Sequence, residues 1–205
     1  MTRYTRRGGV ASLAFVLACV GGTPSAHARQ GAGHTKPGIT VLLADSSALI
    51  DGKRVGLLTN QSGVNEKGVS DIDLIAAREK ARAGSGPKLA ALFSPEHGIR
   101  GTEDRTNLAN GRDARTGVPV YSLYGATVLA PPDSVLRTID VLVIDLQDIG
   151  ARPWTYVASM VYAMRAAAQQ HVPVVVLDRP NPITGSHVEG PVLDSSFAYA
   201  GTHSS

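Results

Sequence analysis

The chain alternates between short runs that are almost wholly apolar and longer stretches in which apolar residues recur at helical spacing. Residues 53–59, 88–93, 118–123, 140–146 and 173–177 are of the first kind, rich in Val, Leu and Ile. A strand apolar at successive positions is covered on both faces, so these runs predict a buried parallel sheet. The intervening stretches predict helices. Residues 39–50 carry Leu42, Leu43 and Leu49 as anchors. Residues 71–82 carry Ile72, Leu74, Ile75 and Ala76 with charges between them, and Gly84-Ser85-Gly86-Pro87 stops that helix. Residues 132–138 open on Pro132, a residue suited to a first helical turn. Residues 155–170 repeat Val157, Met160, Val161, Met164 and Ala168 at helical spacing, a stripe expected to face the sheet. Strand and helix alternating in this way predict an α/β fold: a Rossmann-like parallel sheet joined by right-handed crossovers, with helices on both faces. No internal repeat interrupts the pattern. Residues 98–116 are long, polar and rich in Gly, Asn, Asp and Arg, which marks a functional or mobile loop.

The ends of the chain read differently. Arg3, Arg6 and Arg7 precede an apolar stretch from Val10 to Val20 and an Ala26-His27-Ala28 cleavage signal, the layout of a secretory leader over residues 1–28. The stretch is too short for a membrane-spanning helix, which needs about 20 apolar residues. Thr5-Arg6-Arg7 also fits a twin-arginine signal. Val16-Leu17-Ala18-Cys19 fits a lipobox, with Cys19 as the site of a lipid anchor. Each variant implies export to a periplasmic or extracellular compartment. Cys19 is the single cysteine, so no intrachain disulfide can form. Residues 29–38 read as a polar, glycine-rich linker, 39–194 as the folded domain, and 195–205 as a tail without structural pattern. The net charge of +3 belongs to the leader: without its three arginines, 17 basic residues face 17 acidic ones. Nucleic acid is therefore not an expected partner.

The unusual residues fall at the carboxyl ends of the apolar runs. Run 53–59 leads into Asn60-Gln61-Ser62-Gly63, and run 88–93 into Ser94-Pro95-Glu96-His97-Gly98. Run 140–146 leads into Gln147-Asp148 after Asp145, and run 173–177 into Asp178-Arg179-Pro180-Asn181-Pro182. Open parallel sheets bind ligands beyond the carboxyl ends of their strands, so the four clusters predict one site. Glu96 stands between a proline, which fixes backbone, and a glycine, which permits a tight bend. A glutamate held in such a turn suits a general acid; a solvated loop glutamate is the alternative. Asp145, Gln147 and Asp148 follow a strongly apolar strand and could hold a hydroxyl, orient water, or cap the helix that begins at Thr155. Asp148 could instead pair with Arg152. Arg179 could pair with Asp178 or with an acidic group of a ligand. Asn60 and Gln61 offer amides, and Tyr121, Tyr124, Trp154 and Tyr156 could stack on a sugar ring. No phosphate-binding glycine motif, nucleophile elbow or paired-histidine zinc motif is present, so neither a cofactor nor a metal is expected.

The segments VGLLTNQSGV, LFSPEHGIRG, TGVPVYSLYG, IDVLVIDLQDIGAR and VVLDRPNPITG with VEGPVLD lie in order from Arg54 to Asp194. They resemble the signature blocks of the exo-β-N-acetylmuramidases, a bacterial family long catalogued only as a domain of unknown function. The resemblance implies a Rossmann-like N-terminal domain and a smaller α/β C-terminal domain with the active site between them. It implies release of N-acetylmuramic acid from the non-reducing end of peptidoglycan fragments in cell-wall turnover, with MurNAc-containing saccharides or muropeptides as partners. Glu96 would be the catalytic acid, with Asp145, Asp148 or Glu189 activating water, or the substrate's own acetamido group attacking. Asn60, His97, Gln147, Arg152, Tyr156, Arg179, Asn181 and Glu189 would line the saccharide pocket. Pro153-Trp154 stands where the family carries an aromatic pair. An R-H-G segment and the second domain are also missing after VLD, so the expectation is a fragment holding the N-terminal domain. A periplasmic sugar-binding protein without catalysis is the alternative.

Overall fold

In the computed structural model, residues 35–102, 109–125 and 129–192 are described. The leader with Cys19, most of the 29–38 linker and the 195–205 tail lie outside the described residues. The elements are α1 (Gly38–Asp45) with a single 3-10 turn at Ser47–Leu49, β1 (Arg54–Thr59), α2 (Asp71–Ala81), β2 (Lys88–Ser94), β3 (Gly111–Arg112), β4 (Pro119–Ser122), α3 (Asp133–Leu136), β5 (Val141–Asp145), α4 (Tyr156–Gln169) and β6 (Val174–Val176). They form one sheet in the order β3-β4-β2-β1-β5-β6. Every pair is parallel except β3 with β4. The five parallel strands follow the doubly wound order, in which the chain reverses direction between β1 and β5. Thr59 lies opposite Asp145 at the carboxyl end of that central pair.

Alternation along the strands divides the core in two. Val55 and Leu57 of β1 and Val141 and Val143 of β5 pack with Ile39, Leu42, Ile72 and Ile75 from α1 and α2. Leu58, Leu142 and Ile144 point the other way and pack with Val135 and Leu136 of α3 and Ala163, Ala166 and Ala167 of α4. Both faces of the sheet are thus covered, as the apolar runs required. Gly56 is needed for this closeness: a Cβ there would meet Ile139 Cδ1 at 2.6 Å and the Phe93 ring at 2.9 Å.

Two expectations are corrected. The first predicted helix is two pieces, because Ser46 leaves helical geometry (φ −132°) and the chain restarts as the 3-10 turn. The apolar stripe on α4 is not the buried one. Tyr156, Ala158, Ala163, Ala166 and Ala167 are buried, whereas Met164 is 40% exposed and Val157 and Val161 are only half-buried. A face of small residues lets the helix axis approach the sheet, and burying it turns the larger side chains outward. Of the predicted stripe, Met160 packs on the core.

Candidate active site

Asn60 follows the last residue of β1 and is almost wholly buried. Its Oδ1 accepts from the backbone N–H (2.9 Å) and the hydroxyl (2.6 Å) of Ser62, an Asx-type turn that closes the loop after the strand. Ser62 Oγ in turn accepts from the Gln147 N–H at 3.1 Å, so the β1 and β5 ends are stitched together across the switch point. The Gln147 amide donates to the carbonyls of Asp148 (2.7 Å) and Pro180 (3.0 Å), and the Gln147 carbonyl accepts from the Trp154 indole (2.8 Å). Asn181 donates to Asp148 Oδ2 at 3.2 Å. Three of the predicted strand-end clusters are therefore one hydrogen-bonded network. Among the described residues, Asn60 Nδ2 is left buried without a hydrogen-bond acceptor in good geometry.

The fourth cluster joins through α4. Glu96 is half-buried in the turn after β2, where His97 (φ 67°) and Gly98 (φ 78°) both adopt left-handed backbone. For a histidine that conformation is uncommon, and it is held here by the close turn that carries the glutamate. Glu96 Oε2 accepts from the Thr155 hydroxyl at 2.9 Å. Thr155 occupies the N-cap position of α4 without a side-chain capping bond, at the helix end where the dipole favours a carboxylate. The next residue, Tyr156, sets its hydroxyl 3.5 Å from the Glu96 carbonyl and packs edge-on to Trp154 with ring centroids 4.9 Å apart. Burial pushes the Tyr156 phenol up. The Gln61 and Asn60 side chains offset this in part, and the Glu96 charge adds to it. Tyr156 thus touches the surroundings of both Asn60 and Glu96.

Asp145 and Arg179 do not face the crevice as free groups. Asp145 is fully buried, and Arg179 grips both of its oxygens, through Nε to Oδ1 and through the terminal nitrogen to Oδ2 at 2.9 Å. The same terminal nitrogen donates to the Val64 carbonyl at 2.9 Å. Burial works against the guanidinium charge, but the Asp145 carboxylate outweighs it and the Arg179 pKa is raised. The side-chain pairing foreseen between Arg179 and Asp178 does not form: Asp178 Oδ1 instead accepts the Arg179 backbone N–H at 2.9 Å. Arg152 does not pair with Asp148; it donates to the Pro191 carbonyl at 2.7 Å. Glu189 lies on an exposed segment and joins neither the Asn60–Gln147 network nor the Glu96 turn.

One residue of this region escaped the sequence analysis. Asp71 opens α2 and looks there like an ordinary first-turn acid, yet it is fully buried. Burial, then the hydrogen-bonding contact and charge of Asp145, push it up to about 9, with Arg179 opposing. The only sequence signal was the Gly63 loop that must fold back over it: a Cβ on Gly63 would lie 2.0 Å from Thr59 Oγ1 and 2.8 Å from Asp71 Oδ2. The loop after β2 is pinned by Arg100, which donates to Asp73 (3.1 Å) and Asp113 (3.1 Å), while residues 103–108 fall outside the described residues.

A doubly wound α/β domain with polar and acidic side chains gathered at its switch point defines a ligand-binding or catalytic domain of the Rossmann-like class. The profile described as the N-terminal domain of the exo-β-N-acetylmuramidase NamZ matches residues 55–204, and the chain belongs to this family. It is 44% identical over 162 residues to the peptidoglycan β-N-acetylmuramidase NamZ of Bacillus subtilis strain 168, covering 78% of this chain and 37% of that protein. Two crystal structures of DUF1343 family proteins from Bacteroides fragilis NCTC 9343 superpose with TM-scores of 0.71 and 0.64, at 42% and 30% identity. Each comparison covers 82% of this chain and 40% of the other. The chain thus spans about two-fifths of the length of these relatives.

Proposed function

We propose that this domain carries the acid of a glycoside hydrolase that releases N-acetylmuramic acid from the non-reducing end of peptidoglycan fragments. The observation that carries the reading is Glu96: a half-buried carboxyl at a strand end, gripped by Thr155 and flanked by Tyr156, beside the switch-point residue Asn60. Glycosidic cleavage needs an acid at the leaving oxygen and a second group at the anomeric carbon. Glu96 takes the first role. Asp145 is buried within the Arg179 fork and Glu189 lies on an exposed segment, so neither is favoured for the second. Asp148, half-buried and oriented by Asn181, is the carboxylate suited to activate water, with the substrate acetamido group as the other nucleophile the chemistry allows. Asn60, whose buried amide donor has no acceptor in good geometry among the described residues, is suited to bind a sugar hydroxyl or acetamido oxygen. His97, Gln147, Tyr156 and Asn181 complete the pocket, and Arg179 supports its floor through Asp145 and Val64. The leader pattern read over residues 1–28 supports a reaction outside the cytoplasm.

The test is chromatographic detection of free N-acetylmuramic acid after incubating the chain with the MurNAc-GlcNAc disaccharide. Release by the parent, with loss of nearly all turnover in Glu96→Gln and an unchanged circular dichroism spectrum, is the expected result. A Glu96→Gln variant that keeps most of the parent rate overturns the assignment. Disaccharide binding without release by a folded parent would indicate a binding domain.

A further inference from the structure

Asp71, Asp145 and Arg179 come from three separate parts of the chain and meet beneath the crevice. Asp71 begins α2, Asp145 ends β5, and Arg179 lies beyond β6. Both carboxyl groups are fully buried, and one cation serves them. Arg179 commits Nε and a terminal nitrogen to Asp145 and shares that nitrogen with the Val64 carbonyl. Among the described residues, neither oxygen of Asp71 has an N–H or hydroxyl donor. The group within hydrogen-bonding reach of Asp71 is the Asp145 carboxylate. Two carboxylates cannot bond each other unless a proton lies between them, and two buried negative charges against one positive charge would leave one uncompensated.

We infer that Asp71 keeps its proton in the folded protein and donates it to Asp145, so that Asp71, Asp145 and Arg179 form a neutral three-part clasp. The clasp is a positioning device. It holds the start of α2 to the end of β5, and through the Arg179–Val64 bond it fixes the loop that carries Asn60 and Ser62. The consequence for turnover rests on the glycosidase reading of the crevice; the proton and the clasp do not. The charged groups acting on Asp71 are Asp145 and Arg179; β1 presents the neutral Thr59, and the loop presents Gly63. Raised above its ordinary value, the Asp71 carboxyl binds a proton in the folded state that the unfolded chain has already released, so the stability it contributes is lost as pH rises toward about 9.

The test uses the full chain as Asp71→Asn and Asp71→Ala. Asparagine keeps the shape and a donor to Asp145 but has no proton to lose; alanine keeps neither. The expected result is that Asp71→Asn melts at a temperature that gains on the parent steadily from pH 5 to pH 8, and that Asp71→Ala melts well below both. The infrared difference spectrum of parent minus Asp71→Asn at pH 7 should show the carbonyl stretch of a protonated carboxylic acid. The NMR amide signals of Asn60 and Ser62 should be retained in the asparagine variant. A melting-temperature difference between parent and Asp71→Asn that does not change with pH, together with no carboxylic acid band, overturns the proposal. Neither readout uses substrate, so its failure is distinct from a failure to release N-acetylmuramic acid.

Discussion

Replacing Arg179 with methionine removes the cation from a carboxylate that has no access to water. Asp145 is fully buried, and the Arg179 side chain is 10% exposed, so solvent cannot take over the lost charge. Three hydrogen bonds disappear: two on Asp145 and one on the Val64 carbonyl. Breaking a buried ion pair from one side costs about 3–5 kcal/mol. The stranded Val64 carbonyl adds about 1 kcal/mol. Against a typical domain stability of about 5–15 kcal/mol, that is a large share. For a domain of this size each kcal/mol shifts the melting temperature by about 2–4 °C, so the expected fall is on the order of 8–24 °C. Calorimetric melts of the parent and Arg179→Met at pH 7 supply the measurement. A fall equivalent to less than about 1 kcal/mol, as expected of an exposed pair, would refute the buried-pair argument.

Other outcomes follow from the same geometry. Gly63→Ala places a methyl 2.0 Å from Thr59 Oγ1 and 2.8 Å from Asp71 Oδ2; overpacking of this kind costs about 1–3 kcal/mol, measured as a lower urea midpoint. Ser70→Ala removes the side-chain acceptor of the Ile72 N–H at the start of α2 and should cost about 1 kcal/mol in the same assay. Asp51 is held down to about 2, chiefly by its Arg78 hydrogen bond, so its stabilising contribution is present above pH 4 and lost as pH falls toward 2. Asp51→Asn should therefore flatten that part of the acid unfolding curve.

The sheet was legible because buried parallel strands are apolar at successive positions, and the strands at 54–59 and 141–145 were recognisable on that ground alone. The gathering of the candidate site was legible for a related reason: Asn60, Glu96, Gln147 and Arg179 are polar groups at points where an apolar run has just ended. Partnerships were less visible. Arg179 bonds a residue 34 positions earlier and a carbonyl 115 positions earlier, and nothing local distinguishes these from its neighbour Asp178. Asp71 was hidden because an acid in the first turn of a helix is ordinary, and burial of that turn depends on the loop above it. The face of α4 was misjudged by about one residue of rotation, since hydrophobicity favours Met164 where close packing favours Ala163 and Ala167.

The bonds that build the site span 115, 85 and 59 residues of chain, from Arg179 to Val64, Gln147 to Ser62, and Thr155 to Glu96. Closing loops of that length carries an entropic cost that must be met before any bond forms. The sheet must therefore be in register before the crevice exists, and the crevice should close late in folding. Substitutions at Arg179, Ser62 or Thr155 should accelerate unfolding and leave the folding rate nearly untouched, while substitutions at Leu58 or Ile144 in the central strands should slow folding itself.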